Sequence, residues 1–485
     1  MLSTSEWEDL DAVGLAELVA AGRVDAREVV ETAIARIEAL NPAINAVIYK
    51  CYDEALDDLA ARAGSTTDRR GPFHGVPYLV KDLHAPVKGM PLTNGSRLFR
   101  GMVFDFDSSL VARLRRAGFV FLGRTNSPEF GLSASTEPRA YGPTRNPWNP
   151  ERIAGGSSGG AGAAVASGML PAAHATDSGG SIRIPASAND LVGLKPTRGL
   201  NPYGPHRGDG NFGISHEHAV SRTVRDCAAI LDITAGPDVG APFFSPRLPR
   251  PFGELIKEPP RRLRIGCLAA CFDGRPVDAE CAAAVRDAAK LLADAGHEVD
   301  EAKPDFDDRA LLDATFRVLM GGLAPLVDMW AQQRGRPIEE DELEPQTHSA
   351  IARSRATTLP MFYGAVAAIN REVRRLAAFF ETYDVLVTPT LTTPPPRLGV
   401  LSTDETDVDV FLGRLFDLAP FSGPFNATGQ PAISLPLAWS ADGLPIGVQF
   451  AGRYGDDATL LQLAAQLETI RPWFKRRPAT TAGTA

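Results

Sequence analysis

The chain has 485 residues, of which 44% are apolar and 22% charged, and its 50 basic and 59 acidic side chains give a formal net charge of −9. This composition is typical of a globular protein with a large core, and the acidic balance disfavours a nucleic-acid partner. An acidic segment at 1–10, and the lack of an unbroken apolar run of about 18 residues, argue against a signal peptide and a membrane span, so we expect a cytoplasmic location.

The first 60 residues are predicted to be helical. Asp25, with Glu28 three residues later, matches a helix-capping box, and apolar residues follow at helical spacing. Pro42 is expected to stop this helix, because a proline lacks the backbone N–H that helical hydrogen bonding requires.

Strands and helices then alternate. The apolar run 75–80, bounded by turn residues, predicts a buried strand that delivers Lys81 and Asp82 at its carboxyl end. Ligands of open α/β sheets bind at that end. A helix over 108–118 and a strand over 119–122 follow, which is the alternation expected of an α/β fold.

The middle of the chain contains one long loop and several further elements. Residues 125–150 are rich in Pro, Gly, Asn and Ser and are predicted to be a loop, followed by a helix of small residues over 160–169. A clear amphipathic helix covers 278–295, with a strand starting at about 298. Residues from about 305 to 380 are predicted to be helical and to line a pocket.

The C-terminal part completes the sheet. A strand at 384–388 precedes two more, 432–436 and 445–450, which are predicted to pair. A helix over 458–468 follows. No repeat or linker divides the chain, so we predict one domain over 1–475, with a disordered tail at 476–485.

Cysteine and histidine give no strong signal of a metal site. The five cysteines include no Cys-x-x-Cys pair, which favours neither a disulfide framework nor a zinc ribbon. His216 and His218 lie two apart and would reach a metal only from a strand or loop; a polar loop is the expected structure.

Two clusters of glycine and serine, 154–162 and 177–185, are the most informative feature. A flexible linker would not lead directly into an apolar helix, and the pattern lacks the Gly-Lys-Ser/Thr ending of a phosphate loop. A hydrolase fits better, because a serine becomes nucleophilic with a nearby base, and lysine is one such base. Consecutive backbone N–H groups that would hold an oxyanion are those of Ser178, Gly179, Gly180 and Ser181.

The motifs resemble the amidase signature family. The matching segments are 80–82 (VKD), 125–131 (TNSPEFG), 142–148 (GPTRNPW), 155–160 (GGSSGG), 177–185 (DSGGSIRIP), 193–197 (GLKPT) and 426–431 (NATGQP). They cover most of the chain. The resemblance implies a single α/β domain with a central mixed, twisted sheet covered by helices on both faces.

The resemblance also implies a catalytic triad of two serines and a lysine. Ser181 would be the nucleophile, Ser157 the bridging serine and Lys81 the base, with a cis peptide bond between Gly156 and Ser157. Lysine acts as a base only when neutral, so burial must lower the pKa of Lys81 from about 10.4. The implied reaction needs no metal and no organic cofactor.

Four further residues near these motifs receive supporting roles. Asp177 and Arg183 are expected to form a buried ion pair that shapes the loop, and Ser158 to support the glycine turn. Asp82 is expected in the pocket because it ends a strand beside Lys81. Lys195 is expected to be structural, and core packing is favoured over a pocket role for Phe130, Met320 and Phe425.

Finer motif details resemble the subgroup of cyclic-dimer nylon-oligomer hydrolases. These details are 93–96 (TNGS), 146–148 (NPW), 173–177 (AHATD) and 215–226 (SHEHAVSRTVRD). A small aliphatic, aryl or cyclic amide is the expected substrate, with neither nucleic acid nor membrane as partner, and a homodimer is allowed for. The alternative is a glutaminase-type amidotransferase subunit, against which Ile184 counts, since those subunits typically have glutamine there.

Overall fold

The computed structural model describes residues 2–63, 71–244 and 250–479, and the strands in these ranges form three sheets. The strands are β1 Val47–Lys50, β2 Pro77–Lys81, β3 Val120–Thr125, β4 Arg145–Asn146, β5 Asn149–Ile153, β6 Ala172–Asp177, β7 Val192–Lys195, β8 His216–Ser221, β9 Arg264–Cys267, β10 Glu298–Glu301, β11 Val385–Pro389, β12 Ala432–Trp439 and β13 Pro445–Gly452.

The helices of the same ranges surround these sheets. They are α1 Thr4–Glu8, α2 Ala12–Ala20, α3 Ala26–Ile44, α4 Tyr52–Ala63, α5 Ser109–Arg116, α6 Gly159–Ala166, α7 Arg183–Ala188, α8 Val224–Thr234, α9 Phe252–Leu255, α10 Ala279–Asp294, α11 Asp308–Gly321, α12 Leu323–Arg334, α13 Pro345–Ala356, α14 Leu359–Ala378, α15 Val408–Leu418, α16 Gly423–Thr428 and α17 Asp457–Ile470. Short 3₁₀ turns occur at Arg97–Phe99, Glu129–Gly131, Glu340–Glu342 and Phe379–Glu381.

The main sheet has eight strands in the order β10-β9-β11-β13-β12-β7-β8-β6. Strand β9 runs parallel to β10 and β11, and the other neighbours are antiparallel. Because side chains alternate along a strand, Val448 and Phe450 of β13 pack in one cluster with α10 and α17, whereas Gly447 and Gln449 face α7. The predicted mixed sheet with helices on both faces is confirmed.

A smaller sheet, in the order β1-β3-β2, carries the predicted lysine. Strand β2 runs parallel to β3 and lies beside β6, the edge strand of the main sheet. The strand predicted over 75–80 is therefore confirmed, with Lys81 as its last residue. This side-by-side placement brings the carboxyl end of β2 next to that of β6.

Two local predictions were wrong. Helix α3 continues through Pro42 to Ile44, because the proline lies in its last turn and Asn45 then closes the helix in a left-handed conformation with φ 56°. Residues Val47–Lys50, predicted to be helical, form β1, which pairs with β3. The second difference follows from pairing with a distant strand, which local propensity does not encode.

The helical prediction for 305–380 is confirmed by α11 to α14. By length and composition, the stretch Asp308–Arg334 is long and apolar enough to cross a membrane, but half of its apolar 18-residue segment is buried within the protein. Of the predicted tail, Arg476 lies 3.5 Å from a carboxylate oxygen of Asp190, and residues 480–485 lie outside the described part of the chain.

We predict that Gly123→Ala destabilises the protein by about 3 kcal/mol or more in chemical denaturation. Gly123 of β3 has φ 152°, sits where the register shifts against β2, and a Cβ there would lie 1.9 Å from the carbonyl oxygen of Tyr49. Gly443→Ala is the matched control. Gly443 also has a positive φ, 73°, but a Cβ built there would have no atom of a non-neighbouring residue within 4 Å. A loss of only about 1 kcal/mol is therefore expected. Equal losses would contradict the steric argument.

Candidate active site

A cavity of about 800 Å³ opens where β2, the loop before α6, the loop after β6 and helices α11, α12 and α15 meet. Ser157, Ser178, Gly179 and Ser181 all line it. Its helical wall and the adjoining turns are apolar, with Phe99, Phe130, Leu312, Phe316, Leu323 and Trp330 among the lining side chains. Both glycine–serine clusters thus contribute to one cavity, and part of the predicted helical region, α11 and α12, lines it.

Lys81 is fully buried, and its side-chain nitrogen, Nζ, lies between two hydroxyls. Nζ is 2.7 Å from Oγ of Ser157 and 2.8 Å from Oγ1 of Thr176. Burial lowers the pKa of Lys81 well below its ordinary value, while the charges of Asp177 and Glu217 act in the opposite direction. The environment therefore favours the neutral amine, which is able to accept a proton.

Ser157 is held in a tightly packed turn. The peptide bond between Gly156 and Ser157 is cis, as the resemblance implies. A Cβ on Gly156 would lie 2.5 Å from the carbonyl oxygen of Ser133, so no larger residue fits there. The Oγ of Ser158 donates to the carbonyl of Thr176 and accepts from its N–H, at 3.2 and 3.3 Å. Ser158 thereby ties the turn to β6.

The loop that carries Ser181 follows β6 and is bound by side chains on both sides. The Oγ atoms of Ser178 and Ser215 are 2.6 Å apart, and Ser422 Oγ donates to the carbonyl of Gly179 at 2.6 Å. Gly180 has φ 129°, and a Cβ there would collide with Ser422. Its N–H donates to Asp177 at 2.7 Å, so this one of the four expected oxyanion donors is already engaged.

The predicted ion pair of Asp177 and Arg183 is confirmed. Both side chains are fully buried, with Nη2–Oδ1 at 2.8 Å and Nε–Oδ2 at 3.0 Å. Burial alone would raise the pKa of Asp177, but the Arg183 guanidinium and the Asn426 amide hold it well below its usual value. Arg183 also donates to Asn426 and Gln449, so the pair locks the loop to α16 and β13.

Asp82 was expected in the pocket and is not among the cavity-lining residues. Its carboxylate accepts from the N–H groups of Thr93 and Gly95, at 2.7 and 3.0 Å, and from the Thr93 hydroxyl. It therefore fixes the loop after β2. Lys195 donates to the carbonyl of Pro196, which fits its expected structural role. Phe130, for which core packing was favoured, lines the cavity.

Sequence reasoning missed several residues at the site. Thr176, a partner of Lys81, lies one residue before Asp177 on β6, and assigning that segment as a strand would have shown its proximity. His84, with φ 67°, lines the cavity three residues after Lys81. Gly131 lies against Ser157, since a Cβ there would be 3.1 Å from its Oγ.

His216 and His218 were predicted to lie in a polar loop, and this prediction was wrong. Both lie in the buried strand β8. The consecutive polar residues 216–218 mislead because both faces of this strand are covered. Burial lowers the pKa of His218 to about 3. Across residues 2–63, 71–244 and 250–479, no group of three or more metal-binding side chains is placed to hold an ion.

Comparisons with known proteins agree over nearly the whole chain. A family model described as Amidase matches residues 28–461. The 6-aminohexanoate-cyclic-dimer hydrolase of Paenarthrobacter ureafaciens is 41% identical over 484 residues, covering 97% of this chain and 96% of that protein. The acylamidase of Rhodococcus erythropolis is 35% identical over 475 residues, 97% of each. The solved structure of a 6-aminohexanoate cyclic dimer hydrolase complexed with substrate has a TM-score of 0.91 at 40% identity, covering 98% and 99% of the chains.

Fold, site and comparisons together define a hydrolase of carbon–nitrogen amide bonds. The agreement includes both glycine–serine clusters and the strand that carries Lys81. The chain belongs to the amidase family, and the resemblance to the amidase signature enzymes and their cyclic-dimer hydrolase subgroup is confirmed.

We predict that Arg183→Met lowers the free energy of unfolding by about 3–5 kcal/mol at pH 7, because it leaves the buried Asp177 carboxylate unpaired. The loss should shrink as the pH falls. Above about 4 the variant recovers first, because burial without a partner raises the pKa of its Asp177 and this carboxyl takes up a proton. Below about 4 the wild type loses the stabilisation that comes from the depressed pKa of its own Asp177.

Urea denaturation at several pH values measures this effect. Arg27→Met, which removes an exposed ion pair with Glu31, is the control and should cost at most about 0.5 kcal/mol. A loss for Arg183→Met as small as the control's, or one independent of pH, would show that the pair does not hold the loop.

Proposed function

We propose that this amidohydrolase works through a Ser181 acyl-enzyme, with Ser157 as proton bridge and Lys81 as base. The observation that carries the proposal is the 2.7 Å contact between Lys81 Nζ and Ser157 Oγ, at the floor of a cavity that Ser157 and Ser181 both line. Lys81 and Ser157 are buried, while Ser181 is partly exposed to the cavity, which suits a base, a relay and a nucleophile respectively.

The proton path follows from these contacts. Neutral Lys81 takes a proton from Ser157, which takes one from Ser181 as its Oγ attacks the amide carbon. The backbone N–H groups of Ser178, Gly179 and Ser181 hold the resulting oxyanion, whereas that of Gly180 stays with Asp177. As the carbon–nitrogen bond breaks, the proton returns through Ser157 to the leaving nitrogen. Water then attacks the acyl-enzyme by the reverse path and releases the acid.

The cavity supports a small amide with a substantial apolar part. Its volume, about 800 Å³, lies within the usual range for small-molecule sites. The apolar wall of α11 and α12 fits an aliphatic or aryl group, and loop side chains such as Asn94 and Asn211 supply polar contacts. We propose a small aliphatic, aryl, cyclic or oligomeric amide as substrate, in line with the names of the cyclic-dimer hydrolase and acylamidase relatives.

A glutaminase-type amidotransferase subunit is the second candidate. It is less well supported, because Ile184 lines the cavity and places an apolar side chain where such subunits typically carry glutamine. A stable homo-oligomer that hydrolyses simple amides without further proteins would exclude it. A homodimer, the absence of nucleic-acid and membrane partners and a cytoplasmic location stay predictions.

We predict that a fluorophosphonate forms a covalent adduct on Ser181 and that Ser181→Ala abolishes the labelling, as read by mass spectrometry of the intact protein and its peptides. Ser133→Ala is the matched control: Ser133 also lines the cavity but has no role in the proposed chemistry, so it should label as the wild type does. A folded wild type that stays unlabelled, or an adduct on another serine, would refute the assignment.

Lys81→Ala and Ser157→Ala are each predicted to slow labelling by about 10²–10⁴-fold, because each interrupts the same proton path. The double variant should be little slower than either single one, since residues that act as a unit give non-additive losses. Stopped-flow or gel-based labelling rates on the four proteins complete the cycle. Multiplying losses would show that the two residues act independently.

A further inference from the structure

Two segments singled out in the sequence, 173–177 and 215–226, carry polar residues that the proposed mechanism does not use. They form the neighbouring antiparallel strands β6 and β8 at the edge of the main sheet. Thr176 lies directly opposite Glu217 in the register, and directly opposed side chains of paired strands share one face of the sheet. Lys81 Nζ donates to Thr176, so Glu217 lies on the face against which the base is packed.

His174 connects Lys81 to Glu217. Its Nδ1 accepts the backbone N–H of Lys81 at 3.3 Å, and its Nε2 is 3.4 Å from Oε2 of Glu217. Because Nδ1 is an acceptor here, the proton of a neutral ring sits on Nε2. That nitrogen is buried without a hydrogen-bond partner, 3.4 Å from the Glu217 oxygen. The imidazole therefore lies between the Lys81 backbone and Glu217 without a hydrogen bond to the carboxylate.

The two carboxylates near Lys81 differ in how their charges are compensated. Asp177 forms a double hydrogen bond with the Arg183 guanidinium. Within the described part of the chain, the only basic side chain within ion-pair distance of Glu217 is His174, and Glu217 is only 3% exposed. An uncompensated buried carboxylate is costly unless a cation forms nearby. Lys81 becomes such a cation each time it accepts the proton from Ser157.

We propose that Glu217, which lies beside His174 and opposite Thr176, is a positioning residue that tunes the basicity of Lys81 and stabilises the ammonium formed during each acylation and deacylation step. The inference rests on the proposed role of Lys81 as base. Without Glu217, burial would leave Lys81 neutral but too weak a base to draw the proton from Ser157. With it, Lys81 is still neutral at rest and gains a counter-charge at the moment it is protonated.

Other charged and titratable groups around Lys81 leave this role open to Glu217. Arg124 of β3 donates to the Lys81 carbonyl, and Asp82 is engaged by the 93–95 loop. Burial lowers the pKa of His84 to about 3, so this ring stays neutral over the range of the test. The groups that face Lys81 from the packed elements are thus His84, Arg124, His174, Asp177 and Glu217.

The test is the pH dependence of fluorophosphonate labelling at Ser181 in the wild type and in Glu217→Gln. Labelling needs neutral Lys81, so its rate rises with pH through the pKa of that residue. Removing a nearby negative charge lowers the pKa of Lys81, so the acid limb should move to lower pH by about one unit or more. The plateau rate should fall, because the base is weaker. Glu217→Asp, which keeps the charge, should restore most of both.

Glu372→Gln is the matched control, because Glu372 is a carboxylate only 1% exposed, on α14, that accepts from the N–H of Asp307 instead. Its acid limb should coincide with that of the wild type. If Glu217→Gln does not fold, His174→Asn replaces it: this variant keeps an acceptor for the Lys81 N–H but removes the ring that contacts Glu217, and should shift the limb in the same direction by less.

An acid limb that does not move in folded Glu217→Gln, with Ser181 labelled normally, would overturn the inference. A loss of labelling that is uniform in pH and not restored by Glu217→Asp would do so too, since a purely structural role predicts that result. Failure of the proposed mechanism is distinct, because the wild type itself would then lack the adduct on Ser181.

Discussion

The arrangement of the site depends on the exclusion of water from one lysine, Lys81. A solvated amine at neutral pH is charged and cannot accept a proton, so the neutral state of Lys81 depends on the exclusion of water. Lys81 ends strand β2, and its side chain is covered by the turn before α6 and by β6. These two neighbours also supply the polar atoms that the amine needs, the hydroxyls of Ser157 and Thr176, so burial and hydrogen bonding are satisfied together.

The loop that carries Ser181 has a different constraint. It must hold backbone N–H groups toward the cavity while its own polar groups stay satisfied. The buried pair of Asp177 and Arg183 meets this requirement, because one carboxylate accepts from Gly180, Ile182 and the guanidinium at once. Arg183 then reaches α16 and β13, so the loop geometry is set by the main sheet and not by local preference.

Local pattern was enough to predict much of this arrangement. An apolar run bounded by turns located β2 and hence Lys81, and the glycine–serine clusters located the two loops. What local pattern could not supply was strand pairing: Thr176 reaches Lys81 because β2 lies beside β6, and Glu217 lies opposite Thr176 because β6 and β8 pair in this register. The same gap misplaced His216, since the polar run 216–218 is typical of an exposed loop unless both faces of its strand are covered. The position of Asp82 was predicted wrongly because successive side chains of a strand point to opposite faces. The sequence alone did not show that the Asp82 carboxylate binds the 93–95 loop.

The helical wall of the cavity shares its core with other parts of the protein. Side chains of α11, α12 and α15 pack in one cluster with Ile184, three residues after Ser181, and with Ala134. Leu311, on another side of α11, packs instead with residues of β11, β12 and β13. Because protein interiors are close-packed, a change of side-chain volume in this wall is transmitted both to the loop that carries Ser181 and to the main sheet. The shape of the cavity and the geometry of that loop are therefore coupled.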